Sequence, residues 1–271
     1  MSSNEDNEIV IIRNGDESKR RENDDLEKFR KIVQQHQKLG QMQFSDNFLL
    51  MFLRFKRDDP TKAFDRLKSY VKKLRQRPDI FDWNTDLEAT IRSGYFDFTS
   101  GKSHDGTVIM IYRPGRFFFD QFNIINTVQH CVAFLTSYPE AHEKGVQIVV
   151  DVSEVALRKV LKFGVSGAKL TSDFLTKILP VRIQRIHILK SSWLINFGVR
   201  MFLPFMPYKL RQRIVFYSDN LDDFYQHCPL SALPPDLGGT LRTYSYEENL
   251  EIISQGKNLI EPLRLQLQNM K

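Results

Sequence analysis

The chain has 271 residues, of which 41% are hydrophobic and 12% aromatic, and its formal net charge is +6. This length accommodates one large domain or a small domain beside a larger one, and the apolar content is sufficient for a globular core. Two cysteines, Cys131 and Cys228, exclude a framework of several disulfides, and the positive charge suggests an acidic partner such as a nucleic acid or an anionic membrane.

The beginning of the chain differs in charge from the remainder. Residues 1–27 contain nine acidic and four basic side chains, and we expect residues 1–20 to form a disordered acidic tail. The polar start carries no signal-peptide pattern, and neither end carries a myristoylation or prenylation motif. We therefore expect a cytoplasmic protein whose contact with membranes is peripheral.

Residues 21–95 have the pattern of a small helical bundle. Apolar residues recur at helical spacing over 22–39. A second helix starts after a capping residue at Ser45 or Asp46, and a third starts at Pro60 and ends before Pro78. A further short helix is predicted near 86–93.

From residue 106 the pattern changes to strands that alternate with helices. Apolar, β-branched runs at 107–113, 145–153, 182–190 and 213–218 predict four strands. Helical segments at 119–137 and 168–179 lie between them. This order predicts an α/β sheet with helices on its faces, followed by a mostly helical segment from 220 to the end.

The stretch 174–218 contains eight Lys or Arg residues and no Asp or Glu. Within it, WLINFGVRMFLPFMP at 193–207 is the most apolar run, but it is too short to cross a bilayer and it contains Arg200. Apolar surface beside unopposed positive charge is typical of a surface that meets an anionic membrane, or of a lid over an apolar ligand. The alternative is a buried helix followed by a solvated basic helix. The aromatic residues are grouped with aliphatic ones, which favours lipid over nucleic acid.

The residues that an enzyme would require are not arranged for catalysis. TSGKS at 99–103 resembles the end of a phosphate-binding loop, but the required earlier glycine is Phe96, and the stretch precedes a strand. The histidines lack metal-ligand spacing, and His187 lies inside a predicted strand as a structural residue. Asp151 is more typical of a helix cap than of a catalytic acid. We expect no catalytic residue, no metal and no cofactor.

The motifs FLLMFLRFKRDD, TVIMIYRPG, GVQIVVDVSE, LPVRIQRIHILKSSWLINF and LPPDLGG occur in an order that resembles the CRAL-TRIO lipid-binding family. The similarity is greatest to its branch of tocopherol-transfer and retinaldehyde-binding proteins. The resemblance implies an α/β fold with a mixed five-stranded sheet, flanking helices and a mobile lid helix at about 193–206, which we call the lid segment. It implies a lipid-binding domain over 96–245 after the bundle at 21–95, and a C-terminal helical tail over 246–271. It also implies carriage of one lipophile, without catalysis, by a monomer.

The resemblance assigns the walls of an apolar cavity to particular positions. The tocopherol carrier has two serines near the polar head of its ligand where this chain has Val128 and Val132, which favours a less polar or differently held ligand. The ligand class stays open among tocopherol-like, retinoid-like and phospholipid-like molecules. The positions implied are Ile125, Val128, Val132, Val146, Ile148, Val150, Phe174, Leu175, Leu179, Ile186, Ile195, Val199, Phe202 and Phe205.

The resemblance also implies a site for phosphatidylinositol bisphosphate headgroups. It places Lys56, Arg182, Lys209 and Arg213 on the basic positions of the tocopherol carrier, and Arg211 lies beside them. Gln184 stands where that carrier has a basic residue, and we expect Arg185 and Arg211 to compensate. Each cation near an anionic surface contributes about 1 kcal/mol, so the cluster suits reversible docking. The competing interpretation is a phosphoinositide-binding scaffold or regulator with the same fold and no lipid transfer.

Overall fold

The computed structural model describes residues 3–81, 88–116, 121–201 and 203–270. Three helices come first, α1 (Ser3–Gln35), α2 (Asp46–Phe55) and α3 (Pro60–Gln76), and they pack on one another. The Ser45 side chain caps α2, and the Asp59 side chain caps α3 by accepting a hydrogen bond from the backbone N–H of Lys62.

Helix α1 begins much earlier than the sequence pattern indicates. Residues 1–20 are expected to be a disordered tail, whereas the helix in the structure starts at Ser3. Glu17 and Arg21 lie one turn apart on it, with 3.8 Å between their charged atoms, a spacing that supports an exposed helix. A segment rich in charged residues is compatible with a disordered tail or with an exposed helix, and its composition did not distinguish the two.

The five strands form a mixed sheet in the order β1-β2-β3-β4-β5, which confirms the predicted architecture. β1 runs antiparallel to β2, and the other neighbours are parallel. The apolar runs predicted four strands and missed β1. Its sequence FDFTSGK ends in polar residues, and the strand lies at the edge of the sheet, paired only with β2. The strands are β1 (Phe96–Lys102), β2 (Val108–Tyr112), β3 (Val146–Asp151), β4 (Ile183–Leu189) and β5 (Ile214–Phe216).

Helices connect and cover these strands. Helix α7 contains a break at Gly164, where φ is 57° and ψ is −170°, and it leads into a π-helical turn at Phe174–Ile178. The last helix starts with a capping box between Ser245 and Glu248. The helices are α4 (Glu88–Arg92), α5 (Gln121–Ser137), α6 (Pro139–Lys144), α7 (Leu157–Asp173), α8 (Trp193–Arg200), α9 (Tyr208–Arg211), α10 (Asp222–Tyr225) and α11 (Tyr246–Asn269).

Alternate strand residues enter two different cores, as the two-residue period of a strand requires. Ile109 and Val149 pack with Phe224 in the smaller core. On the opposite face of the sheet, the larger core extends without interruption from α1–α3 to α11 and includes Phe52 and Ile260. The predicted boundaries at residues 95 and 245 therefore fall within one continuous core.

Candidate functional site

An apolar cavity of about 180 Å³ lies on the larger core's side of the sheet. Strand register produces its floor, because residues paired across neighbouring strands point to the same face. Met110 pairs with Ile148, Ile148 with Ile186, and Ile186 with Ile214. One pleat further along, the floor continues with Tyr112, Val150 and Ile188.

Three segments wall the cavity above this floor. α5 contributes Thr127 and Val128, the end of α7 with its π-helical turn contributes a second wall, and the lid segment contributes a third. Among the described lining residues none is charged, and the polar side chains are those of Tyr112, Thr127 and Thr171. A cavity of this kind favours an uncharged, mostly apolar ligand, since an unpaired charge is expensive to bury.

The structure places the predicted cavity residues in three groups. Val132, Val146, Leu179 and Ile195 are buried in the core without lining the cavity, and Phe205 is 40% exposed. The side chain of Ile125 and the whole of Phe202 lie outside the described residues. Those that line the cavity are Val128, Ile148, Val150, Phe174, Leu175, Ile186 and Val199.

Sequence reasoning missed other lining residues, and for some of them a signal was available. The alternation that selected Ile148 and Val150 applies equally to the neighbouring strands, where it would have selected Met110, Ile188 and Ile214. Phe96 was missed together with its strand. Tyr112 follows Met110 by two residues and belongs to the same alternation, whereas the remaining lining residues carry no pattern of their own: Thr127, Leu170, Thr171, Leu203 and Met206.

The lid segment has one face toward the cavity and another toward solvent. Ser192 caps α8 by accepting a hydrogen bond from the backbone N–H of Ile195, which is 6% exposed. On the outer face, the side chains of Trp193 and Phe197 are 79% and 61% exposed. Met201 and Tyr208 extend this face, and an exposed apolar patch of this kind is typical of an interaction surface. Within the described ranges, no helix has the length and apolar character needed to cross a bilayer.

Basic side chains continue the same surface. Lys209, Arg211 and Arg213 are exposed at and after α9. Burial lowers the pKa of Lys56, and the cations of Arg66, Lys62 and Lys209 lower it further. Lys56 and Lys209 therefore lie close enough to interact. We call Lys56, Lys209, Arg211 and Arg213 the basic surface.

Arg182 occupies a neighbouring cleft, lined also by Arg54, Arg57 and Asp58. Its guanidinium donates to the backbone carbonyls of Arg54 and Glu143. Burial lowers the pKa of Arg182, and the nearby cation of Arg57 adds to this effect. The structure thus brings Arg182 near α2, where backbone carbonyls engage two nitrogens of its guanidinium.

Gln184 and Arg185 both line a further cleft of the surface. The side chain of Gln184 donates to the carbonyl of Lys144, 3.1 Å away. Arg185, the next residue on β4, lines the same cleft and donates to Nε2 of His227. The described lining of this cleft contains no residue of the basic surface, and compensation for Gln184 by Arg185 stays a prediction.

The titratable groups that were considered for catalysis have structural partners. His187 Nε2 lies 2.6 Å from Oε1 of Gln147, and its Nδ1 lies 3.1 Å from the Tyr217 hydroxyl. Burial lowers the pKa of His187 to about 3. Asp151 accepts hydrogen bonds from the Ser153 backbone and from Lys190. In the part of the chain that the structure describes, no group of three or more His, Cys, Asp or Glu residues could hold a metal ion.

Comparison with known proteins gives concordant results. Human Clavesin-2 is 23% identical over 227 residues, which cover 81% of this chain and 69% of that protein. Human Alpha-tocopherol transfer protein-like is 24% identical over 221 residues, covering 80% of this chain and 65% of that protein. The crystal structure of Sfh5 matches with a TM-score of 0.50 and 11% identity, over 89% of this chain and 98% of Sfh5, and it shares the fold.

The profile of the CRAL/TRIO domain matches residues 92–239, which contain all five strands, the cavity floor and the lid segment. This match covers more than half of the chain. The strand order and the apolar cavity agree with what the sequence motifs imply. The chain therefore belongs to the CRAL/TRIO family of lipid-binding proteins.

Proposed function

We propose that this protein carries a single uncharged lipophilic molecule in the cavity between the sheet and the lid segment. The observation that supports this most directly is the composition of the cavity, whose described lining has no charged side chain. A phospholipid headgroup held inside would need cationic partners, which this lining lacks. A lipophile with one hydroxyl or carbonyl group could use Tyr112, Thr127 or Thr171 to fix its orientation.

Delivery at a membrane follows from the energetics of such a ligand. Burying a methylene group is worth about 0.8 kcal/mol relative to water, and a bilayer offers nearly the same gain. The free energy of transferring the ligand from membrane to cavity is therefore close to zero, and the main task of the protein is to shield the ligand from water. The cavity of about 180 Å³ is smaller than the roughly 300–1,000 Å³ typical of ligand pockets. We infer that the lid segment moves outward to admit a ligand.

We further propose that the basic surface and the outer face of the lid segment dock together on phosphoinositide-containing membranes. At about 1 kcal/mol for each cation, the four residues of the basic surface contribute about 4 kcal/mol to this docking. Because backbone carbonyls engage donors of Arg182, its charge adds long-range attraction to the membrane and not a direct hydrogen bond to a headgroup. Trp193 and Phe197 add apolar contact at the same surface.

Native mass spectrometry of the protein purified from its own cells, followed by organic extraction, tests the carrier function. We expect one uncharged lipophile per chain. A phospholipid recovered at one per chain would contradict the proposed ligand class. An empty, folded protein would favour the scaffold interpretation, which the small volume of the cavity also supports.

The docking proposal is tested by the double substitution Lys209→Glu and Arg213→Glu. Reversing two charges should weaken sedimentation with vesicles that contain phosphatidylinositol 4,5-bisphosphate by more than about tenfold. The matched control is Lys72→Glu with Arg75→Glu, the same charge change at exposed positions of α3 that line a different groove. Equal losses in the two double variants would show that only net charge matters and would contradict a defined docking site.

A further inference from the structure

A surface groove lies where three helical parts of the chain meet. Its walls are the turn that follows α1, one face of α3 and the end of α11. The groove shares no described lining residue with the cavity or with the basic surface. Its volume of about 570 Å³ is within the roughly 300–1,000 Å³ typical of ligand pockets, so it is large enough for a short segment of another molecule.

Hydrogen bonds fix two walls of this groove. Nδ1 of His36 accepts from the backbone N–H groups of Lys38 and Leu39, at 3.3 and 3.2 Å, which holds the turn after α1 in place. The Gln43 N–H donates to Oε1 of Gln266 at 2.7 Å, and Nε2 of Gln266 donates to the Gln43 carbonyl at 3.2 Å. This pair holds the end of α11 against the segment before α2. The groove is therefore preformed, which lowers the entropic cost of binding a ligand in it.

Positive charge is arranged along one wall of the groove. Lys68, Lys72 and Arg75 follow one another at spacings of four and three residues, so they lie on one face of α3. Lys38 adds a fourth cation from the turn, and the described lining contains no Asp or Glu. Of these four cations, Lys68 has a carboxylate within ion-pair distance among the described residues, that of Asp65 at 3.6 Å. The other three have none, so an acidic ligand would find cations that are not already neutralised.

The floor of the groove is apolar and recessed. Leu39, Met42 and Val71 line it and are 4%, 6% and 7% exposed. Leu267 and Met270 complete it at the end of α11, and both are half-buried. The outer face of the lid segment differs, because its apolar side chains project into solvent. A recessed floor can receive a single inserted side chain but cannot be reached by the surface of a bilayer, which favours a peptide over a membrane.

We propose that this groove binds an extended acidic peptide of a partner protein, in which Asp or Glu residues alternate with apolar residues. Lys68 and Lys72 lie about 6 Å apart along the axis of α3. Carboxylates at alternate positions of an extended peptide lie on one side of it, about 6.6 Å apart, so they match this spacing. The apolar side chains between them point to the other side, where one can enter the recessed floor. This inference does not depend on the proposed carrier function.

Fluorescence polarisation of a labelled peptide measures this binding. The probe is GSELEFELSG, which carries three carboxylates on one side of an extended chain and three apolar residues on the other. In the control peptide GSQLQFQLSG, each Glu is replaced by Gln, so the apolar side chains remain and the charge is lost. Exposed ion pairs are individually weak, and we expect three of them together to make the Glu peptide bind about tenfold more tightly than the Gln peptide.

Two double variants separate the groove from the basic surface. Lys72→Glu with Arg75→Glu should weaken binding of the Glu peptide by more than about tenfold, because two cations of the row become anions. This variant should still sediment with phosphoinositide vesicles and bind the neutral dye Nile red in the cavity, which shows that it is folded. Lys209→Glu with Arg213→Glu should do the reverse, binding the peptide normally while losing the vesicles. Met270→Ser tests the floor, and it should weaken both peptides by the same factor.

Three results would overturn the inference. Equal binding of the Glu and Gln peptides would show that the cations do not select the ligand. Equal loss of vesicle sedimentation in the two double variants would make the groove part of a membrane-binding surface. A dimer of the wild type in analytical ultracentrifugation, abolished by Lys72→Glu with Arg75→Glu, would assign the groove to a second copy of this chain. Failure of the carrier function has a different signature, because the wild type would then not bind Nile red, whereas its affinity for the peptide would be unaffected.

Discussion

Three buried histidines make the free energy of unfolding sensitive to acid. Asn249 donates its amide N–H groups to the carbonyls of Tyr244 and Ser245, so its Oδ1 accepts a hydrogen bond from Nε2 of His130 at 3.2 Å. This places a proton on Nε2, and burial keeps the ring neutral. Burial lowers the pKa of His130 and of His142 to about 4, as it lowers that of His187 to about 3.

The sign of the pH dependence follows from these depressed values. In the unfolded chain histidine titrates near 6.5, so at lower pH the unfolded state binds protons that the folded state does not. The folded state is therefore favoured above pH 6.5 and loses stability as the pH falls toward 4. At pH 5 we expect a loss of about 2 kcal/mol for each of the three histidines.

Urea unfolding at pH 7.5, 6 and 5 measures this dependence, and substitution assigns it. His130→Gln should flatten the curve, whatever its effect at neutral pH. The exposed His104 serves as the control, since His104→Gln leaves the three buried histidines in place. Parallel curves for wild type and His130→Gln would show that His130 does not contribute.

At the level of single residues, sequence alone located part of the cavity. Strand alternation identifies Ile148, Val150 and Ile186, because every second residue of a half-buried strand faces the same side. It does not identify Thr127 or Thr171, since a polar residue on a helix carries no sign of facing a cavity. No signal in the sequence indicated that the guanidinium of Arg66 donates to the carbonyls of Thr176 and Leu179, since both lie more than 100 positions along the chain.

The break in α7 at Gly164 changes the course of a whole helix. Gly164 has φ of 57° and ψ of −170°, a conformation that is essentially confined to glycine. A Cβ at this position would meet no atom within 4 Å, so substitution adds backbone strain without a clash. The residues after the break continue to Leu170 and Thr171, which line the cavity. The break therefore sets the direction of a cavity wall.

Gly164→Ala tests this role against a matched control. We expect it to cost about 1–3 kcal/mol of unfolding free energy and to change the affinity for Nile red, because relief of the strain reorients α7. Gly106 in the turn before β2 also has a positive φ, of 78°, and open space around its Cβ position. Gly106→Ala should lose similar stability and bind the dye normally. A normal dye affinity in Gly164→Ala would contradict the role of the break.

Element boundaries were predictable where one signal dominated. Ser45, one of two capping residues considered, and the proline at position 60 mark the starts of α2 and α3, as the structure has them. The break in α7 was not predictable, because an isolated glycine in a helical pattern is usually tolerated. β1 was missed because an edge strand needs no continuous apolar run, and its partner β2 supplies its hydrogen bonds on one side.

Across the whole molecule, charge is distributed so that one surface remains basic. In the cleft that contains Arg182, Glu22 of α1 forms a bidentate ion pair with Arg54 at 2.6 and 3.0 Å. By contrast, among the described residues Lys209 and Arg213 have no carboxylate partner within ion-pair distance. The net charge of +6 therefore understates the positive potential next to the lid segment.

The docking surface consequently has two components that salt can separate. Attraction of the basic surface to anionic vesicles is screened, since the Debye length falls from about 10 Å at 0.1 M salt to about 3 Å at 1 M. Apolar contact by Trp193 and Phe197 is not screened, and a fully buried side chain of this kind contributes about 1.5–3 kcal/mol. Binding of the wild type should thus weaken strongly with salt without vanishing.

The double substitution Trp193→Ala and Phe197→Ala should weaken vesicle binding by the same factor at both salt concentrations. Its control, Leu250→Ala with Leu265→Ala, removes exposed apolar side chains of α11, which are 40% and 47% exposed, away from the lid segment. We expect the control to bind as the wild type does. Sedimentation at 0.1 M and 1 M sodium chloride compares each of the two double variants with the wild type at both salt concentrations. If the loss caused by Trp193→Ala and Phe197→Ala disappeared at high salt, these side chains would act only after electrostatic capture, and the two components would not be independent.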